Sequence, residues 1–467
     1  MKKFGCLCLF LCIVLALQCF AVPVAAEQDA ENKSVTNGAH SLDGQVPLLG
    51  SEKLVDNVKS AVLFEVGSDT LMYGWNADER MSPASFVKIL TALIVAERGN
   101  LTDAVTVKES VLKTIPYDAM SAGLQKDEVI TVKDLLYCMM VGSANDAAAV
   151  LADYILGSQS SFVAEMNRYA QSIGCTGSNF TNAHGLNDDN QYVTARDVAR
   201  ILSAAVKNET FCQAFEAVSY TVPATNKSKA RELITGNYLM NQNQDNVEIY
   251  YDSRVTGGRT GITSSRERCI AVTAKKNGMY MISVVMGSES VYKDDGYTVQ
   301  TFGGYKETSA LLDAGFDGFH SVQIIHPNQA LTQYAVVNGQ SDVILGTKES
   351  VHTVLPQSVS SVELNYRYTM VGGSFEAPIE KGQIISNLEV WYADVCVAQV
   401  ELFAMNSVPV KQDLVLERDD QDGNLSRSSV LTVVVCIAVG AVIVFYVIRN
   451  RAIVAAKKRG KNRTRSR

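Results

Sequence analysis

Pro83-Ala84-Ser85-Phe86-Val87-Lys88 leads directly into the apolar segment Ile89 to Ala96. On a helix of 3.6 residues per turn, positions three apart share one face, so the Lys88 amine can reach the Ser85 hydroxyl. Serine is a weak nucleophile at neutral pH and needs an adjacent base, and Ser-x-x-Lys at a helix start supplies one. Pro83 and Ala84 fit an entry turn that leaves the hydroxyl accessible. On its own the pair also fits a serine and a solvated lysine on an amphipathic helix.

Two more segments bear on that choice. Ser143-Ala144-Asn145 follows an apolar run in which Val132, Leu135, Leu136, Met139 and Met140 recur at helical spacing before Gly142. The break predicts that Ser143 and Asn145 lie on a turn between two helices. Taken alone, they could simply cap the helix starting near Asp146. Arg259-Thr260-Gly261 introduces strand-like segments, Cys269 to Ala274 and Met281 to Gly287. In this order the three motifs resemble those of the penicillin-recognising serine enzymes.

The rest of the 467-residue chain is compatible with two or three domains. Lys2 and Lys3 precede an apolar run from Phe4 to Val22, and Val24-Ala25-Ala26 offers small residues for cleavage, so residues 1–26 are expected to be a secretory signal. An uncleaved anchor is the alternative, and either would export the body of the chain. Val430 to Ile448 is 19 residues without a charge, enough to span about 28 Å of hydrocarbon. Nine basic and no acidic residues occupy 449–467, which suits a cytoplasmic tail. The expected location is therefore the cell membrane, single-pass, with an extracytoplasmic body.

That body has 31 basic residues against 49 acidic ones, a net of −18 that argues against nucleic-acid binding. The basic tail, placed directly after the span, is read as setting topology. Of ten cysteines, Cys138, Cys175, Cys212, Cys269 and Cys396 lie outside the signal and span. Five cannot all pair within one chain, and without a Cys-x-x-Cys among them neither a disulfide framework nor a thiolate metal site is expected. The five histidines are scattered and form no His-Glu-x-x-His, so no metal and no cofactor is expected.

Residues 27–52 read as a polar linker, and Ser60 to Val66 with Leu71 to Trp75 as a hairpin. This segment, with Pro83 to Ile89 and Thr91-Ala92, resembles the start of the low-molecular-mass serine-type D-alanyl-D-alanine carboxypeptidases. Ser143 to Ala147, Phe162 to Asn167, Gly174 to Asn182, His184-Gly185-Leu186, Tyr192 to Asp197 and Val255 to Thr263 extend the resemblance. Three departures stand out: Ala183 where proline is usual, Gly258 where an aliphatic residue is common, and Arg259 in place of lysine. Losing the proline should loosen its loop. Arginine keeps the cation but is bulkier and planar, so the exchange is not neutral. Residue His184 is read as a loop residue in preference to a catalytic base.

The resemblance implies an α+β fold, an antiparallel sheet flanked by helices over 53–303. A smaller β-rich domain over 304–415, a stalk at 416–429 and the membrane helix at 430–448 are expected to come after it. Beyond a helix at Lys306 to Ala314, strands are predicted at Ser321 to Ile325, Tyr334 to Asn338, Ser361 to Met370, Gln383 to Trp391 and Cys396 to Leu402. The β-rich part also shares Ala377 to Gln383 with the C-terminal module of these carboxypeptidases.

Carried over residue by residue, the resemblance gives Ser85 as nucleophile, Lys88 as its base and Ser143 as proton relay. It gives Asn145, Arg259, Thr260, Gly261 and Ile262 as the substrate-binding set, with the backbone N–H groups of Ser85 and Ile262 holding the oxyanion. The implied reaction removes the terminal D-alanine from peptidoglycan stem peptides through an acyl-enzyme, and β-lactams would acylate the same serine. A β-lactamase of the class with a deacylating glutamate would need Glu-x-x-Leu-Asn, which Glu165-Met166-Asn167 does not reproduce. A murein-binding module without turnover is the other rival, and acylation without D-alanine release would identify it.

Overall fold

A computed structural model describes residues 47–411, except 51, 243–247, 264–265, 297 and 371–373. The expected signal, the stalk, the membrane span at 430–448 and the basic tail lie outside the described residues. Among the described residues, no helix is long and apolar enough to cross a membrane.

Two compact units are present. One holds the described residues up to Asn328 with Thr347–Thr369 and Asn387–Glu401, and the other holds Gln329–Gly346, Met370–Ser386 and the described residues from Leu402. In the first unit the predicted hairpin forms as β1 (Ser60–Glu65) and β2 (Thr70–Trp75). Two small pairs, β3 (Ala104–Thr106) with β4 (Val129–Thr131) and β5 (Ser219–Val222) with β6 (Arg231–Ile234), lie within the helical part. Next come β7 (Val255–Ile262), β8 (Glu267–Lys276) and β9 (Met279–Glu289). The main sheet runs β2-β1-β9-β8-β7 and is antiparallel throughout, leaving β7 at its edge. A further pair joins β10 (Val291–Tyr292) to β11 (Val299–Thr301).

Successive strand residues face opposite sides of a sheet, and the core divides accordingly. Val62, Phe64, Ala271, Ile282 and Val284 pack with the helices on one face. These helices are α1 (Val87–Arg98), α2 (Glu109–Leu112), α3 (Val132–Met140), α4 (Asn145–Leu156), α5 (Gln159–Ser172), α6 (Ala195–Ala205) and α7 (Glu209–Phe215). Leu63, Ile270, Val272, Met281 and Val285 face the other way, onto Leu311, Leu312 and Phe316 of α8 (Tyr305–Gly318). Helix α1 is buried continuously from Val87 to Val95, a stretch that is apolar apart from Lys88 and Thr91.

Strands β12 (Phe319–Ile325) and β15 (Val351–Pro356) pair in the first unit, and β13 (Ala330–Tyr334) pairs with β14 (Val343–Gly346) in the second. Strands β17 (Ile384–Tyr392) and β18 (Val395–Ala404) lie close to their predicted positions, whereas β16 (Asn365–Met370) begins four residues late because Ser361–Glu363 forms a 3-10 turn capped by Ser360 and Glu363. The strand expected at Tyr334 to Asn338 instead ends at Tyr334. Asn338 has a positive φ of 57°, a turn conformation, and only Val337 makes an isolated bridge. Strands β14 and β15, absent from the sequence-based expectation, are separated by Thr347-Lys348-Glu349-Ser350.

One ion pair ties β6 to the segment before β4. Glu128, fully buried, accepts from Arg231 Nη2 at 2.8 and 2.9 Å, Thr225 Oγ1 at 2.8 Å and Gln125 N at 2.9 Å. Truncating one partner of a buried pair strands the other charge, so Glu128→Ala should lower stability by about 3 kcal/mol in chemical denaturation. Glu128→Leu with Arg231→Met should recover most of that loss.

Candidate active site

Chain entry into α1 places the nucleophile. A single 3-10 turn, Ala84–Phe86, precedes the helix, and Ala84 adopts a positive φ of 44°, a conformation that costs a non-glycine residue energy. Neighbours hold it there. Gly185, at φ +84°, lies so close that a Cβ on it would sit 1.9 Å from the Ala84 carbonyl oxygen. On the other side a Cβ at Gly261 of β7 would be 3.2 Å from the Ser85 nitrogen. The sheet edge therefore runs beside the serine.

One turn along α1, Lys88 is 1% exposed, and its Nζ lies 3.5 Å from Ser85 Oγ. The amine also donates to Asn145 Oδ1 at 2.7 Å and to the His184 carbonyl oxygen. Burial, reinforced by the nearby Arg259 cation and opposed by Asp146, holds Lys88 well below the usual lysine range. A lowered value leaves the amine free of its extra proton, and thus basic, nearer to neutral pH.

Ser143 lies on the predicted turn between α3 and α4, with a φ of 56°. Its Oγ is 3.4 Å from Ser85 Oγ and accepts from Arg259 Nη2. Capping does not account for this pair: the residue preceding α4 is Ala144, which has no capping side chain, and the Asn145 amide is turned to Lys88.

Arg259 is 4% exposed. Its Nη1 donates to the Met140 carbonyl at 2.7 Å, at the end of α3, while Nε has no partner among the described residues. Burial pulls the guanidinium down to about 10, so it remains a cation at neutral pH. The resemblance implies a cation gripping the substrate carboxylate; in the structure each Nη already donates one hydrogen bond to the protein. The glycine at 258 has a physical reason as well. A Cβ there would be 2.2 Å from Asn237 Nδ2 and 2.8 Å from Val272 Cγ1, so the buried Asn237 occupies the space of an aliphatic side chain. Thr260 is half-buried, and Ile262 ends β7 with its side chain 61% exposed.

His184 contributes its main chain. The ring Nδ1 accepts from Leu186 N at 3.2 Å, and burial with the Lys88 charge pushes the imidazole down to about 4. Where proline is usual, the Ala183 carbonyl accepts from Thr91 Oγ1 at 2.7 Å and ties the loop to α1. Residue typing missed the His184 carbonyl and the Gly185 contact, although both fall within a stretch that carried the resemblance. Among the described residues, no cluster of three or more His, Cys, Asp or Glu could hold a metal ion.

A family profile described as D-alanyl-D-alanine carboxypeptidase matches residues 52–290. The chain belongs to this family. A second profile, the C-terminal domain of penicillin-binding protein 5, matches residues 319–410. The carboxypeptidase is 30% identical to D-alanyl-D-alanine carboxypeptidase DacA of Haemophilus influenzae, over 74% of this chain and 84% of that protein. It is 28% identical to DacC of Escherichia coli, over 75% and 84%. Among solved structures, penicillin-binding protein 5 of Haemophilus influenzae aligns with a TM-score of 0.62 at 28% identity, covering 76% of this chain and 98% of that one. The α+β fold and the serine hydrolase class of this carboxypeptidase follow from its family.

Two predictions come from this geometry. Because only the main chain of His184 reaches Lys88, His184→Asn should keep penicillin acylation within about threefold, whereas loss of a general base would cost about a hundredfold or more. Acylation should rise with pH through the Lys88 titration, since only the neutral amine accepts the Ser85 proton, and that acid limb should lie well below the ordinary lysine pKa. A stopped-flow pH profile checks the second point.

Proposed function

We propose that this carboxypeptidase removes the terminal D-alanine from peptidoglycan stem pentapeptides through a Ser85 acyl-enzyme, and that penicillins acylate the same serine. The observation that carries the reading is the buried amine of Lys88 3.5 Å from Ser85 Oγ, with a second hydroxyl, Ser143, 3.4 Å from the same oxygen. Neutral Lys88 takes the Ser85 proton as Oγ attacks the carbonyl between the two D-alanines. Backbone N–H groups of Ser85 and Ile262 hold the oxyanion, a contribution often of several kcal/mol. The proton then passes by way of Ser143 to the leaving D-alanine nitrogen, and water releases the acyl group. Asn145 orients the donor amide.

At the third motif, Thr260 offers its hydroxyl to the terminal carboxylate, and Gly261 lets the substrate lie close against β7. Arg259 attracts that carboxylate through its charge, its Nη groups being held by Met140 and Ser143. No cofactor enters the scheme. The 19 uncharged residues at 430–448 and the nine basic ones after them support single-pass anchoring with the catalytic body outside the cell membrane.

Labelled penicillin should mark the wild-type protein and not Ser85→Ala; equal labelling would refute the acyl-enzyme. Wild-type protein should also release D-alanine from a muropeptide ending in D-alanyl-D-alanine. Acylation without release above the Ser85→Ala background would leave a penicillin-binding protein without peptidase turnover.

A further inference from the structure

The segment Met120–Leu124 is fastened to the first turn of α4, immediately beside Asn145. Asp146, 3% exposed, accepts from the Ser121 hydroxyl at 2.6 Å, Ala122 N at 2.9 Å and Leu124 N at 3.0 Å, and from Ala147 N of its own helix at 2.9 Å. The Asn145 N–H donates to the Met120 carbonyl at 2.8 Å, and Gly123 N closes the segment onto Ser121 Oγ at 2.9 Å.

A helix start leaves N–H groups without intrahelical partners, and Ala144 has no side chain to satisfy them. An acidic group in the first turn also suits the positive end of the helix dipole. Asp146 meets both needs and joins the helix end to a separate piece of chain. Directly before it stand Ser143, in a strained turn conformation, and Asn145, whose amide holds Lys88. Without the clamp, α4 could begin one residue later, and both side chains would move away from Ser85.

We infer that Asp146 is a positioning residue for acyl transfer: by clamping Met120–Leu124 to the start of α4 it fixes where Ser143 and Asn145 stand beside Ser85. This rests on the acyl-enzyme reading above. Its carboxylate has a second effect, since the charged and titratable groups around Lys88 are Arg259 on β7, Asp146 on α4 and His184 on the loop before α6. Among these Asp146 alone favours the protonated amine, in opposition to Arg259.

The test measures first-order acylation of the full-length protein by a fluorescent penicillin across pH, with thermal melting to verify folding. Asp146→Asn puts an NH2 where acceptors are needed and removes the charge. Acylation should slow roughly tenfold or more, and the acid limb should shift to lower pH by about half a unit. Ser121→Ala removes one donor and keeps the charge, so acylation should slow about threefold with the limb in place. A folded Asp146→Asn protein with wild-type rate and limb overturns the inference, as does a slowed one whose limb has not moved. If Asp146→Asn does not fold, Ser121→Ala decides, and a wild-type rate there overturns the clamp. Failure of Ser85→Ala to abolish labelling would be a separate result, against the acyl-enzyme itself.

Discussion

An amine confined to the hydrophobic core, that of Lys88, is the constraint on which the site is built. Helix α1 is apolar from Val87 to Val95 apart from Lys88 and Thr91, and it is packed among α3 to α7. An unpaired ammonium is costly to bury, so the amine must either lose its proton or be met by acceptors. The structure supplies two, the Asn145 amide oxygen and the His184 carbonyl, neither of them an anion. A carboxylate in their place would pair with the ammonium and hold its proton. Neutral acceptors orient the amine without fixing its charge, and Arg259 weights the balance toward the neutral form.

Much of this was legible in the sequence because its signals were local. The apolar segment after Pro83 pointed to a helix, Gly142 broke a helical period, and Ser60 to Trp75 read as two strands around a turn. The positions of Ser85, Lys88, Ser143 and Asn145 followed from those patterns and from family motifs. What the sequence concealed depends on contacts between segments far apart in the chain. Nothing around Gly185 reveals that it abuts the carbonyl of Ala84, and nothing around Asp146 that its acceptors serve a stretch some 25 residues earlier. Strands β14 and β15 were missed because β14 has only four residues and β15 carries His352 and Thr353 among its apolar residues, so neither shows a sustained apolar or alternating pattern.

The altered third motif makes sense as a group of three residues. Lysine to arginine adds reach and a second pair of donors, and these bond the end of α3 and the Ser143 hydroxyl from one side chain. Gly258, its neighbour, leaves room for Asn237, whose Oδ1 accepts from Leu239 N at 3.1 Å and so shapes the chain beside β7. The departures thus extend into the supporting framework. They leave the serine, amine and amide of the first two motifs in mutual reach.

The tight approach of Gly185 and Gly261 to the nucleophile turn limits how such a protein could evade an antibiotic. Bulk added at Gly185 would press on the Ala84 carbonyl, and bulk at Gly261 on Cys269 Sγ and the Ala84 side chain, so either change would disturb the nucleophile turn that the enzyme itself needs. Selection for resistance would have to work elsewhere, on exposed side chains such as Met120, whose carbonyl accepts from Asn145 N, or Ile262 at the end of β7.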